Sequence, residues 1–319
     1  MTARRLAVAT LVYTLAVIAW GAYVRASGSG AGCGAHWPLC NGEVVPRPES
    51  IETVIELAHR ITSGFALVAV VALAVAVFRS SSPGDGARLA AVASVVFMVT
   101  EAAVGAGLVL LEYVADNASA ARAWWMAGHL MNTFLLLAAL AATVWWTGPG
   151  AGAVRADASA AARVVAAVCV AAVLLAGASG GVAALGDTLY PASSLAEGVR
   201  QDFAPGAALL IRLRVFHPVL ALCAALIIVL AVPFLARTPG RRARVFGRVL
   251  TMLVVAQLLA GSVNLVLLAP IPLQIVHLVL ADLLWLGLVF FLFAVFTRAP
   301  GTPVAPSKAD RSPSLASLH

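Results

Sequence analysis

Eight stretches of about 20 apolar residues run through this chain, and each is long enough to carry an α-helix across a lipid bilayer. They lie near residues 6–26, 54–78, 88–111, 123–146, 161–185, 207–236, 245–268 and 273–297. Hydrophobic residues make up 62% of the 319 residues and charged residues only 11%, with a mean hydropathy of +0.98. A soluble domain of this length needs more polar surface. The pattern predicts an all-α polytopic membrane protein. The first stretch runs into a glycine-rich loop with no small-residue cleavage site, so it reads as a retained helix rather than a signal peptide.

Charge sets the orientation. With the N-terminus inside, the inner segments hold fourteen basic residues (Arg4, Arg5, Arg79, Arg88, Arg155, Arg163, Arg237, Arg241, Arg242, Arg244, Arg248, Arg298, Lys308 and Arg311) against Asp85, Asp157 and Asp310. The outer segments hold Arg25, Arg47, Arg122, Arg200, Arg212 and Arg214 against eight acids, Glu43, Glu49, Glu52, Glu112, Asp116, Asp187, Glu197 and Asp202. The positive-inside rule then puts both termini in the cytoplasm, in a multi-pass protein of the cell membrane. The net charge of +7 follows from topology. No basic patch with interleaved aromatics is present, which speaks against nucleic acid as a partner.

Four histidines, His59, His129, His217 and His277, fall one to every second apolar stretch, all in the first turns from the outer side. An imidazole in hydrocarbon costs free energy unless it is hydrogen-bonded or ligates something. Two histidines on neighbouring helices can hold an iron porphyrin from both faces, so four suggest two haem sites toward the outer face. Interhelical hydrogen bonds are the plainer alternative. Zinc or copper would want clustered ligands.

The histidines also support a repeat. His59 and His217 are 158 residues apart and His129 and His277 are 148 apart, while Glu101-x3-Gly105 returns as Gln257-x3-Gly261. Two parallel four-helix units follow, pseudo-symmetric about an axis along the membrane normal. Their predicted limits are 1–150 and 151–298, before a disordered cytoplasmic tail at 299–319.

Around the histidines, Glu56 is three residues from His59 and shares its helix face. A carboxylate one turn from a haem ligand suits proton transfer, although an interfacial acid paired with an arginine needs no such role. Arg60, Arg122 and Arg214, with Arg25, are candidate partners for haem propionates or plain interfacial anchors. Asn132, Asn264, Gln257, Glu101 and Asp282 are the other polar residues inside the stretches, and they are expected to satisfy one another between helices. Trp124, Trp125, Trp145 and Trp146 read as interfacial belts. Cys33 and Cys40 flank six residues of the first outer loop, where an oxidising compartment lets a bridge persist. That pair reads as a structural staple, a redox-active or haem-handling pair, or, with His36, an incomplete metal site. Cys169 and Cys223 read as small buried hydrophobes.

The run GAYVRASGSG at 21–30, the CGAHWPLC loop at 33–40 with Asn41-Gly42, Glu56-x2-His59-Arg60, and His129, His217 and His277 in this order and spacing together resemble the haem A synthase family. The resemblance extends from the first helix to the eighth. It implies oxidation of the C8 methyl of haem O to the formyl of haem A, for cytochrome oxidase assembly. By that resemblance, His59 and His129 bind the substrate haem, His217 and His277 bind haem b, and Glu56 is essential. The partners implied are a membrane haem O synthase that supplies substrate, the cytochrome oxidase assembly machinery, membrane lipid and an electron donor of unstated identity; a homo-oligomer stays open. The third outer loop here has no cysteine, unlike some bacterial relatives, so Cys33 and Cys40 are left as the one candidate disulfide. The rival reading is a non-catalytic di-haem b cytochrome that carries electrons from quinol. Prenyl transfer to haem is disfavoured, because the chain has no paired aspartate-rich motif for a diphosphate.

Overall fold

The computed structural model describes residues 2–297 apart from 48, 49, 150, 151, 156, 238 and 239. The expectations for Glu49, Arg298, Lys308, Asp310, Arg311 and the tail at 299–319 lie outside the described residues. The described chain is helical: α1 (Ala3–Ala26), α2 (Ile51–Ser80), α3 (Gly86–Leu110), α4 (Ala120–Trp146), α5 (Ala160–Leu189), α6 (Leu195–Asp202), α7 (Leu209–Arg214), α8 (Phe216–Leu235), α9 (Arg241–Val266) and α10 (Ile271–Phe296). Eight spans among the described residues are long and apolar enough to cross a membrane, with Leu209–Leu235 counted as one. The protein is a multi-pass membrane protein.

Local chemistry explains most of the boundaries. Thr2, Ser50, Asp85, Ser119, Ser159 and Ser194 each accept a backbone N–H of the first turn of the helix that follows, satisfying one of the donors every helix start leaves open. The sixth predicted stretch, 207–236, is split at Val215 into α7 and α8. Pro218 lacks the N–H that the Arg214 carbonyl would accept, so the helical ladder is interrupted one turn before the proline. The connection at 186–206, expected as plain loop, contains α6, which is capped by Ser194 and carries a Glu197–Arg200 pair.

Two sets of helices pack in the same order. α1 packs on α2, α2 on α3, α3 on α4 and α4 on α1; α5 packs on α8, α8 on α9, α9 on α10 and α10 on α5. The sets meet where α4 contacts α5 and α10 and where α1 contacts α10. At that seam Trp285 of α10 stacks on Phe134 of α4, with ring centroids 5.5 Å apart, and its indole N–H donates to the Phe134 carbonyl at 2.6 Å. Gly177 of α5 faces the same Phe134 ring with no room for a Cβ.

Arg25 crosses the seam at one end. Its guanidinium donates to the Ala184 carbonyl (2.9 Å) and the Thr188 hydroxyl (2.8 Å) of α5, and to Gln274 Oε1 of α10 (2.9 Å). At the opposite end the α4–α5 connection meets the end of α10, where Arg155 N–H donates to the Phe296 carbonyl at 2.8 Å.

One expectation is extended here and another changes. Trp145, read as an interfacial belt residue, also packs against Phe246, Phe290 and Phe293, tying the last turn of α4 to α9 and α10. Cys223 is exposed rather than buried, because Val219, Leu222 and Leu226 at helical spacing around it form the lipid-facing stripe of α8. Cys169 is buried as expected.

The seam supports two stability predictions. Arg25→Ala removes three charge-assisted hydrogen bonds between the sets and should cost about 2–4 kcal/mol. Gly177→Val overpacks a ring that is itself fully enclosed and should cost about 1–3 kcal/mol. Both are read as lowered thermal unfolding midpoints of the detergent-purified protein.

Candidate functional site

The four histidines lie on four different helices, each beside a partner helix that shapes its surroundings. His59 on α2 sits edge-on against Gly21 of α1, where a Cβ would come within 2.9 Å of the ring. His217 on α8 lies against Gly180 of α5 and His277 on α10 against Gly261 of α9, again with 2.9 Å to an added Cβ. Three imidazoles therefore occupy notches that only glycine leaves open. Gly21 and Gly261 stand in segments singled out from sequence; Gly180 had no such signal, since an apolar small-residue helix hides one glycine among many.

His129 on α4 differs. Gly105 of α3, the sequence counterpart of Gly261, has nothing within 4 Å of its would-be Cβ. His129 Nδ1 instead lies 3.5 Å from Glu101 Oε1 of α3, close enough for electrostatic contact but too long for a well-formed hydrogen bond. Glu101 accepts from the Thr133 hydroxyl and, at 2.6 Å, from the Asn132 side-chain amide. Asn132 also takes the Thr100 hydroxyl at 2.6 Å. Glu101 and Asn132 thus satisfy one another, as expected. Gln257 Oε1 and Asn264 Oδ1 find no hydrogen-bond partner among the described residues, and neither do the two oxygens of Asp282, which is 0% exposed on α10. On the α3–α4 surface an open depression of about 440 Å³ is lined by Val104, Trp124, Trp125, Gly128, Met131, Asn132 and Leu135, without His129 itself.

His217 and His277 face each other. Their ring centroids are 6.3 Å apart, with planes at 79°. Two imidazoles that each bind one shared metal through a nitrogen at about 2 Å have centroids about 6 Å apart, so the spacing fits a single iron between them. His217 Nδ1 lies 3.2 Å from both the Ala176 carbonyl and the Ser179 hydroxyl of α5. A carbonyl there favours the Nδ1–H tautomer and leaves Nε2 free as a ligand. Gln257 Nε2 lies 3.4 Å from His277 Nε2.

Glu56 is 3% exposed and lies under the first long connection. Its Oε2 accepts the Cys33 N–H at 2.8 Å, and its Oε1 accepts from Arg60. Arg60 also donates to the His36 and Leu39 carbonyls, each at 2.6 Å. Cys33 and Cys40 form a disulfide with Cα atoms 4.4 Å apart, and the loop it closes is the one Arg60 grips. The Thr53 hydroxyl bonds the Gly32 carbonyl at 2.7 Å, and Gly32 packs on the backbone of Glu52 and Thr53 with no space for a Cβ. Glu56 thus joins the cystine loop to the helix that carries His59.

The other candidate arginines are also engaged. Arg122, 4% exposed, donates to the Ala115 and Asn117 carbonyls, while its buried Nε–H has no acceptor among the described residues. Arg214 pairs with Asp187 at 3.2 Å and Asp202 at 2.6 Å. Arg25 is taken up in the seam.

Residues 4–289 match the family model of the COX15-CtaA cytochrome oxidase assembly proteins. The chain belongs to that family. Among curated relatives, a protoheme IX farnesyltransferase of Thermus thermophilus is 45% identical over 289 residues, which is 90% of this chain and 47% of that protein. The same protein of a second Thermus thermophilus strain matches equally. A heme A synthase of Bacillus mycoides is 45% identical over 105 residues, 33% of this chain and 34% of its own length. The chain spans about half the length of the Thermus relatives.

The docking of the cystine loop can be tested at Gly32. Gly32→Ala should lift the loop from α2 and expose Cys33 and Cys40, both 1% exposed or less. Thiol labelling in isolated membranes after mild reductant is then expected to run at least about tenfold faster than in the unsubstituted protein.

Proposed function

We propose that the protein is a haem A synthase: it oxidises the C8 methyl group of haem O to a formyl group for cytochrome oxidase assembly. The observation that carries this reading is the unequal surroundings of the two histidine pairs. Glu101 lies 3.5 Å from His129 and Glu56 is three residues from His59 on α2, whereas a serine, a carbonyl and an amide stand beside His217 and His277. Two electron-relay haems need no such difference; a reacting haem beside a relaying one does. The family and the match to a heme A synthase support the same reading.

In this proposal the two helix sets are pseudo-symmetric units, 1–150 and 151–298, with both termini cytoplasmic and the haem sites toward the outer face of the cell membrane. His59 and His129 hold the substrate haem, and His217 and His277 hold haem b. When bound, haem b supplies one-electron redox chemistry, while the protein sets its position and potential. Balanced with water as the oxygen donor, conversion of the methyl to a formyl releases four electrons and four protons. Glu56 is the group suited to take up protons near the reacting methyl, and the Cys33 N–H and Arg60 fix where its oxygens point. Of the arginines that could hold haem propionates, Arg60, Arg122 and Arg214, Arg122 would be the best equipped, since its Nε–H has no acceptor among the described residues. The substrate comes from a haem O synthase. The Thermus protein, about twice as long and named a protoheme IX farnesyltransferase, suggests that the supplying enzyme works next to this one. With water as the oxygen donor the four electrons pass to a separate membrane or soluble oxidant; the electron donor implied by the family resemblance is needed only where O2 supplies the oxygen atom.

Pigment analysis of the purified protein tests the reading. Haem b together with haem O, haem A or the hydroxylated intermediate is expected; haem b alone at two per chain would instead favour the di-haem cytochrome. Glu56→Ala should keep haem bound yet lower haem A yield by about 10²-fold or more. Glu56→Gln retains an acceptor for the Cys33 N–H but cannot take up a proton, so it should fail as fully as Glu56→Ala. Normal haem A production by Glu56→Gln would confine Glu56 to a structural role.

A further inference from the structure

The two halves carry different groups at one matching position. Glu101 of α3 lies 3.5 Å from Nδ1 of His129 on α4, and its sequence counterpart Gln257 of α9 lies 3.4 Å from Nε2, the other ring nitrogen, of His277 on α10. The helix pairs are matched too, since α3 packs on α4 as α9 packs on α10. A carboxylate therefore stands where the other half has a neutral amide. We propose that Glu101 is a positioning residue that makes His129 the more electron-donating ligand, and that the Glu101/Gln257 difference sets the potentials of the two haems apart. The inference rests on the four-histidine haem reading above.

Glu101 is taken as ionised: the Asn132 amide donates to its Oε2, and the Thr133 hydroxyl, which also reaches the His129 carbonyl at 3.0 Å, lies on its Oε1, an arrangement a carboxylate can accept at both oxygens. Nδ1 is the histidine nitrogen nearest this charge, which leaves Nε2 for a metal. A carboxylate next to the outer nitrogen of a metal-bound imidazole raises its basicity and fixes its orientation. A more basic ligand favours ferric over ferrous iron and lowers the reduction potential. Gln257 carries no charge and cannot act in this way. The sign of the effect suits the proposed division of labour, because a haem whose own periphery is to be oxidised gains from a stabilised oxidised state.

The experiment is a redox titration of the full chain in nanodiscs loaded with ferric haem b as the probe, followed by absorption. Two one-electron couples are expected, the lower one lost in His129→Ala and the higher one in His277→Ala. Glu101→Gln should raise the lower couple about tenfold in ferrous-over-ferric preference, or about 59 mV for one electron, and leave the other in place. Glu101→Asp should restore most of the difference. If both couples are present and Glu101→Gln leaves the lower couple in place, or moves both couples alike, the proposal is overturned. If the couples survive His129→Ala and His277→Ala, the haem reading itself fails and this inference falls with it.

Discussion

No water is available within the hydrocarbon layer to satisfy a polar side chain, so each one placed there must find its partner inside the protein. This chain places histidines, carboxylates, amides and an arginine at membrane depth. Several find partners on neighbouring elements, whereas Asp282 has none among the described residues. Arg25 reaches α5 and α10, Glu101 gathers Asn132 and Thr133, and Glu56 takes the Cys33 N–H and Arg60. The helix arrangement and the polar network specify each other: moving a helix orphans a group, and removing a group loosens a helix.

The site grows out of this arrangement. Glycine notches let three of the imidazoles lie close to the neighbouring helix, and at His217 and His277 polar groups of that helix add to the contact. At His129 the notch gives way to a carboxylate contact. The cystine loop acts through backbone groups: the Cys33 N–H and the His36 and Leu39 carbonyls address Glu56 and Arg60. The disulfide holds these three groups within one small ring, so the loop presents them as a unit to the first turns of α2.

Much of this was legible in the sequence. The eight spans follow from the length and apolarity of each stretch, and the four histidines stand out because an imidazole in hydrocarbon needs a cause. Glu56 beside His59 is visible from spacing on one helix face. The split of the sixth stretch was signalled by Pro218, although hydropathy averages across it. The roles of Trp145 and Cys223 were not legible, because hydropathy does not say which side of a helix meets lipid and which meets another helix. Asp282 was expected to find a polar partner, and only the packed structure shows a carboxyl enclosed without one among the described residues.

By itself the sequence determined what each helix must be: its length, its caps, its chemistry-bearing residues and their spacing along one axis. These are local properties, governed by helix geometry and transfer free energy. Which residues meet across helices was decided by the tertiary structure alone. Arg25 finds partners 159, 163 and 249 residues away, and the 6.3 Å spacing of His217 and His277 depends on how α8 and α10 pack around α5 and α9. The physical reason is that a one-dimensional pattern specifies which face of a helix is polar, but only the mutual packing of helices decides which other face it meets.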